Sequence, residues 1–272
     1  MPTEIATDNA RHSHPLALIT GASGGIGLEF ARQLAAAGHD LVLVARSEGK
    51  LRELAGELER SHGVRVQVFA RDLSRPGVAS ELAATLEDRG LAVDVLINNA
   101  GYGLFGAFVE TELQTELDMI QLNIVALTEL SKHVARSMKA RGRGRILNVA
   151  STASFQPGPL MAVYYASKAY VLSFSEALAS ELEGSGVTVT ALCPGPTASG
   201  FQAAAALEGS KLVAGKKLPT AAEVAAYGLR SLRSGRTVAI PGARNWMLAQ
   251  SVRLMPRRTV TRMVKRVQAP QL

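Results

Sequence analysis

Residues 16–30 read LALITGASGGIGLEF. Leu16 to Ile19 is an apolar run of strand length. Thr20-Gly21-Ala22-Ser23-Gly24-Gly25-Ile26-Gly27 follows at once, and then apolar residues recur at helical spacing, at Ile26, Phe30 and Leu34, with Ala31 and Ala35 beside them. A strand, a glycine-rich turn and a helix start in that order form a phosphate cradle, because the free N–H groups of the first helical turn face the anion. Gly21 permits the sharp turn, Gly25 lets the backbone approach a pyrophosphate, and Gly27 lets the helix pack close to the strand. Two other readings share these letters. One is a plain tight loop. The other is G-x-S-x-G over residues 21–25, the nucleophile elbow of α/β-hydrolases. That elbow needs an acid and then a histidine later in the chain, and the five histidines are His12, His14, His39, His62 and His133. None lies in the second half, which disfavours a hydrolase.

The chain has 272 residues, of which 47% are hydrophobic and 19% charged, enough for one large α/β domain with a buried core. Its single cysteine, Cys193, excludes an intramolecular disulfide and suits a reducing compartment; it reads as a small buried apolar residue. Neither a signal peptide nor an apolar run of spanning length is expected, which implies a cytoplasmic location. The net charge of +7 is uneven. Arg244, Arg253, Arg257, Arg258, Arg262, Lys265 and Arg266 fall in residues 244–272, which contain no Asp or Glu, so the remainder balances at 23 basic against 23 acidic residues.

Strand and helix patterns alternate along the body. Residues 1–14 read as a flexible arm. Asp40 to Ala45 is a second buried strand, and Arg46 ends it, where a dinucleotide fold often carries an acid for the ribose 2′-OH. A guanidinium there can instead pair with a 2′-phosphate, although a surface arginine starting the next helix reads the same way. Leu51, Leu54 and Leu58 mark a helix over residues 47–62. Val64–Phe69 is a third strand, a helix over about 75–88 follows, and Val93–Ile97 is a fourth strand, closed by Asn98-Asn99-Ala100-Gly101. One long helix is expected over 113–139, with Asn123 inside it. Arg145–Ala150 is the fifth strand and Ser151 follows directly. Thirteen residues on stands Tyr164-Tyr165-Ala166-Ser167-Lys168, in which Tyr164 and Lys168 share one helical face. Val187–Leu192 and Thr237–Ile240 are the sixth and seventh strands. This alternation implies a doubly wound, Rossmann-like parallel sheet of about seven strands with helices on both faces, its ligand crevice at the carboxyl ends of the strands.

The T-G-x-x-x-G-x-G turn, the Asn-Asn-Ala-Gly segment, the serine after the fifth strand and Tyr-x-x-x-Lys together resemble the short-chain dehydrogenase/reductase family, from about Leu16 to Ile240. The resemblance implies NADP(H) as cofactor, held by Gly21, Ser23, Gly24, Gly25, Ile26, Gly27 and Arg46, with Asp72 and Leu73 near the adenine. It places Asn99, Ala100 and Gly101 along the cofactor site, and Pro194, Gly195 and Thr197 over the nicotinamide. It makes Asn123, Ser151, Tyr164 and Lys168 catalytic, and Tyr164 and Lys168 cofactor contacts as well. The chemistry suits these residue types. Reducing a ketone requires a hydride at carbon and a proton at oxygen. A lysine cation lowers the pKa of a neighbouring phenol, which then serves as general acid or base. Ser151 would hold and polarise the carbonyl oxygen, and Asn123 would position a water beside the lysine.

The resemblance also makes residues 15–243 the catalytic domain, 198–218 a substrate lid, and a homo-oligomer, dimer or tetramer, the expected assembly. Phe155, Pro157, Pro159, Leu160, Met161 and Val163 hint at an apolar carbonyl substrate. Thr220 and Glu223 form a capping box for a helix to about Leu232. The tail, 244–272, is a basic amphipathic segment interrupted at Pro256. It suits contact with an anionic membrane surface or a partner, or a helix packed over the substrate pocket with solvated arginines. Nucleic acid is not expected, since no aromatic stacking platform accompanies the charge. A second class of function is a sensor or scaffold that binds NADP(H) without turnover; four intact catalytic positions argue against it.

Overall fold

The computed structural model describes residues 14–200 and 218–268. Seven parallel strands form one sheet in the order β3-β2-β1-β4-β5-β6-β7. They are β1 (Leu16–Thr20), β2 (Asp40–Ala45), β3 (Val66–Ala70), β4 (Val93–Asn98), β5 (Gly144–Val149), β6 (Val187–Leu192) and β7 (Val238–Ala239). The chain winds outward from β1 to β3, then crosses to the other side of β1 to begin β4. Parallel neighbours require crossovers, and the helices supply them. These are α1 (Gly25–Ala36), α2 (Glu48–His62), α3 (Val78–Asp88), α4 (Leu113–Ile120), α5 (Leu127–Ala140), α6 (Ala162–Glu181) and α7 (Ala221–Arg233). After β7 come α8 (Ala243–Ser251) and α9 (Arg257–Gln268).

Side-chain alternation along the strands divides the core into two layers. Ala17 and Ile19 of β1, with Leu41 and Leu43 of β2, face α1, α2 and α7, where Phe30, Leu54 and Leu229 bury against them. Leu16 and Leu18, with Val42 and Val44, face the opposite layer, where Leu82, Leu130 and Leu182 pack. Both faces are covered at the centre, so β1 and β2 are nearly continuous apolar runs, whereas β3 (VQVFA) and β6 (VTVTAL) alternate.

The boundaries differ from the sequence pattern where tertiary contacts decide them. The third strand starts at Val66, because Arg65 is drawn to Asp40, whose carboxylate accepts from the Arg65 amide at 2.9 Å and its guanidinium at 2.8 Å. The single long helix expected over 113–139 is instead α4 and α5 joined by a π-helical turn, Gln121–Ala126. Asn123 sits in that turn. The expected capping box closes at the start of α7: Glu223 N–H donates to Thr220 Oγ1 at 3.2 Å, and Thr220 N–H to Glu223 Oε2 at 2.8 Å.

The approach of α1 to the sheet fixes the glycine turn. A Cβ on Gly27 would stand 2.3 Å from the Gly21 carbonyl oxygen and 2.4 Å from Asn99 Nδ2, whereas one on Gly24 would meet nothing within 4 Å. Gly27→Ala is therefore expected to destabilise the fold by about 1–3 kcal/mol, through overpacking against backbone that cannot retreat. Gly24→Ala should leave thermal unfolding nearly unchanged. Equal melting temperatures for the two variants would contradict this reading of the turn.

Candidate active site

A cavity of about 430 Å³ opens at the carboxyl ends of the central strands. Gly21, Ser23, Gly24, Gly25 and Ile26 line it from the turn after β1, and Asn99, Ala100 and Gly101 from the turn after β4. Ser151, Tyr164 and Lys168 line its middle, and Pro194, Gly195 and Thr197 the edge beyond β6. Of the residues given a catalytic or cofactor role, five lie off this wall, and of the apolar residues expected at the substrate only Met161 lines it. Gly27 is buried beneath the turn and Asn123 behind Gly101. Arg46, Asp72 and Leu73 stand at the ends of β2 and β3, Arg46 exposed and Leu73 buried.

The turn is tied to the next strand by hydrogen bonds. Thr20 Oγ1 accepts from the amides of Asn99 and Ala100, both at 3.0 Å. Asn99 Nδ2 donates to the carbonyls of Thr20 at 2.9 Å and Gly21 at 3.3 Å. Helix α1 starts with no side-chain cap and no acid in its first turn. Its leading N–H groups and the positive end of its dipole thus face the cavity unopposed, which suits a pyrophosphate. With the close approach that Gly21 and Gly27 permit, these residues fit a dinucleotide. At the end of β3, desolvation alone would raise the Asp72 carboxyl. The amide and hydroxyl of Ser74 and the charges of Arg46 and Arg75 outweigh it and hold Asp72 below its ordinary range. Arg46 is thus close enough to act electrostatically on this corner.

Ser151, Tyr164 and Lys168 meet in the middle of the cavity. Ser151 caps a short 3-10 turn, Thr152–Phe155, its Oγ accepting from the Ala153 amide at 3.1 Å. Its hydroxyl is also hydrogen-bonded to the Tyr164 phenol. Lys168 Nζ stands 5.9 Å from the centre of the Tyr164 ring and donates to the Val149 carbonyl at 2.8 Å. Burial pushes the phenol up to about 12, against the opposing pull of Ser151. Burial likewise lowers Lys168 to about 8. The phenol is thus raised where the lysine was expected to lower it: desolvation sets the direction, and Tyr164 keeps its proton at neutral pH. Cys193 is buried and its thiol raised to about 12, chiefly by desolvation, so it is inert.

Behind this group lie two buried polar seams. Asn123 Oδ1 accepts from the Tyr102 amide at 3.2 Å, while its Nδ2 donates to the Tyr102 carbonyl and to Ser167 Oγ, both at 3.0 Å. Ser167 passes the link to the Tyr164 carbonyl at 2.7 Å. The Asn123 side chain thus clamps the loop after β4 to α6, and the π turn is the distortion that aims it there. In the second seam, Asn98 Nδ2 donates to Ser131 Oγ at 3.0 Å and Asn148 Oδ1 at 2.9 Å, and Asn148 Nδ2 donates to Ser175 Oγ at 2.9 Å. Sequence reading passed over this seam, although an asparagine within the apolar run of β5 was its visible signal.

Two further contacts come from the C-terminal segment. Asn245 of α8 packs against Gly195, with its Nδ2 donating to the Pro241 carbonyl at 2.8 Å. Buried Gln268, at the end of α9, donates through Nε2 to the Tyr165 hydroxyl. Val264 of α9 packs against the cluster containing Met161, Tyr164 and Tyr165. No local pattern marked Asn245 or Gln268. Of the expected lid, residues 201–217 lie outside the described residues. Of its described residues, Ser199 and Gly200 line the cavity.

Comparison with known proteins agrees with this geometry. The family model described as short chain dehydrogenase matches residues 15–208. The chain belongs to that family. It is similar to a very-long-chain 3-oxoacyl-CoA reductase of Pyrenophora tritici-repentis, at 41% identity over 179 residues, 64% of this chain and 52% of that protein. It is also similar to a 7beta-hydroxysteroid dehydrogenase of Collinsella aerofaciens, at 36% identity over 180 residues, 66% of this chain and 68% of that one. The chain thus spans about half the length of the first of these relatives. Among solved structures, a short-chain dehydrogenase from Sphingobium yanoikuyae in complex with NADPH superposes with a TM-score of 0.80 at 35% identity, covering 88% of this chain and 94% of that one.

The buried lysine gives a pH signature. Unfolded, Lys168 keeps its proton to about 10.5; folded, it releases it near 8. Between these values the unfolded chain binds the extra proton, so rising pH stabilises the fold. The stability of wild type relative to Lys168→Met should be level below pH 8 and climb toward pH 10.5 in urea titrations. A difference that stays level throughout would exclude a buried, proton-shedding lysine.

Proposed function

We propose that the chain is an NADPH-dependent oxidoreductase that interconverts a ketone or aldehyde and an alcohol. The single observation that carries this reading is the meeting of Ser151, Tyr164 and Lys168 in one cavity with the uncapped start of α1. NADP(H) would be held by the glycine turn, by Asn99, Ala100 and Gly101, and by the Pro194–Thr197 segment, with Arg46 pairing the 2′-phosphate. When bound, the cofactor supplies a hydride to the carbonyl carbon.

The chain's own residues supply the rest. Ser151 donates a hydrogen bond to the carbonyl oxygen and holds it beside the phenol. Tyr164, protonated at neutral pH, gives its proton to that oxygen as charge develops there. The reverse reaction needs the phenolate, which burial alone disfavours. Lys168, in its charged form, is the nearby group able to stabilise that anion. Asn123 keeps α6 in register through Ser167. Met161, the apolar residue of the 155–163 stretch that lines the cavity, favours an apolar carbonyl compound.

Tyr164→Phe is expected to lower turnover of a ketone panel by at least roughly 10²-fold, the scale of a lost general acid. NADPH binding, followed by cofactor fluorescence, should persist. Tyr165→Phe should be mild in comparison; exchanged phenotypes would show that the wrong phenol had been assigned. Arg46→Asp should weaken NADPH roughly tenfold or more while sparing NADH, as expected for losing hydrogen bonds to a charged phosphate. Unchanged NADPH affinity would overturn the 2′-phosphate assignment.

A further inference from the structure

Six exposed large apolar side chains fall within residues 246–267: Trp246, Met247, Leu248, Leu254, Met263 and Val267. They lie on α8, the 3-10 turn Val252–Leu254 and α9. Exposed basic residues are interleaved with them: Arg253, Arg257, Arg258, Arg262, Lys265 and Arg266. No acid occurs between Arg244 and Leu272 to neutralise them. We propose that this surface docks on an anionic lipid bilayer.

Charge and exposure together select that occupant. A second copy of the chain meeting this face about a twofold axis would set like charges against each other. An acidic protein would answer the charge, but Leu254, 89% exposed, stands too far out to be part of a preformed apolar groove. A bilayer answers both features, since indole and leucine side chains enter the acyl boundary while guanidinium groups pair with lipid phosphates. No helix among the described residues is long and apolar enough to cross a membrane, so the contact is peripheral.

The buried stripe of α9 faces the candidate site, with Met263 and Val267, three residues on from Val260 and Val264, at its exposed edge and Arg258, Arg262 and Arg266 turned away. Val260 and Gln268 are buried, and Val264 packs on the cluster with Met161, Tyr164 and Tyr165. The exposed apolar edge of α9 therefore borders the side of the helix that packs beside Tyr164. Resting on the oxidoreductase reading above, this arrangement assigns the substrate to carbonyl compounds dissolved in the bilayer.

Trp246 is the only tryptophan, so its emission reports on this surface alone. The full-length chain is mixed with vesicles of phosphatidylcholine, with and without phosphatidylglycerol. We expect co-sedimentation and a blue shift of emission with the anionic vesicles, and at least tenfold weaker binding to the neutral ones. The triple variant Arg258→Glu, Arg262→Glu, Arg266→Glu should lose binding while keeping the wild-type melting temperature. Leu254→Ser with Met263→Ser should weaken binding with the charge intact. Equal binding to both vesicles, no binding to either, or a vesicle-independent shift that grows with protein concentration and mass would each overturn the docking. Because binding needs no turnover, Tyr164→Phe should bind vesicles like wild type, which separates this test from that of the chemistry. With active protein, the triple variant should lose about tenfold in kcat/KM for a vesicle-dissolved long-chain ketone and nothing for a small water-soluble one. Equal loss on both would refute delivery from the bilayer.

Discussion

The hydrogen-bonded junction between the ends of β1 and β4 governs the molecule. Here the winding of the sheet reverses, so no helix crosses over and a crevice opens. Two strands diverging at their ends would fray if nothing joined them. Thr20 Oγ1 receives two backbone amides from β4's exit, and Asn99 Nδ2 returns donors to two carbonyls of β1's exit. The junction is so tight that Asn99 and Gly21 leave no room for a Cβ at position 27. The start of α1 is thereby pinned against the crevice, with its unpaired N–H groups exposed to a ligand. The anion site is thus a consequence of how two strands are joined.

The middle of the crevice is held by polar groups inside an apolar body. Unpaired, the amides of Asn98, Asn123 and Asn148 would each carry a desolvation penalty of about 1–3 kcal/mol. Paired through Nδ2, and in Asn123 and Asn148 through Oδ1 as well, they have few alternative arrangements, which suits parts that must hold reacting groups in register. The Asn98–Asn148–Ser175 seam ties β4, β5 and α6 together below the site, while Asn123 and Ser167 tie the loop after β4 to α6 at the level of Tyr164. Ordinary helical geometry would have carried Asn123 past this position. The π turn at Gln121–Ala126 is therefore best understood as backbone deformed to satisfy a buried amide.

What was legible in the sequence followed from short-range physics. Apolar runs of strand length, the shift from strand to helical spacing after Gly25, and the Thr220–Glu223 box depend on neighbours a few residues apart, and all are observed. The four-residue spacing of Tyr164 and Lys168 placed both on one face of α6 without any knowledge of the sheet. What could not be read depends on partners far along the chain. The π turn answers to Tyr102 and Ser167, the start of β3 to Asp40, and the burial of Gln268 to a hydroxyl 103 residues away. The sign of the Tyr164 shift belongs to the same class: spacing puts an ammonium near, but only three-dimensional burial shows that desolvation raises the phenol.

That sign bears on how the site can work. Burial favours the neutral forms of both Tyr164 and Lys168, raising one and lowering the other. A neutral phenol is a proton donor ready for a carbonyl oxygen, but a phenolate left behind in an apolar pocket is costly. Lys168 reduces that cost only while it holds its own proton, and its lowered value near 8 means that it does so over most of the neutral range. On the proposed reading, the lysine's role is less to activate the acid beforehand than to receive the charge that the acid leaves. Its Nζ is anchored by the Val149 carbonyl, within 5.9 Å of the Tyr164 ring centre, which fits a group placed for the second half of a proton transfer.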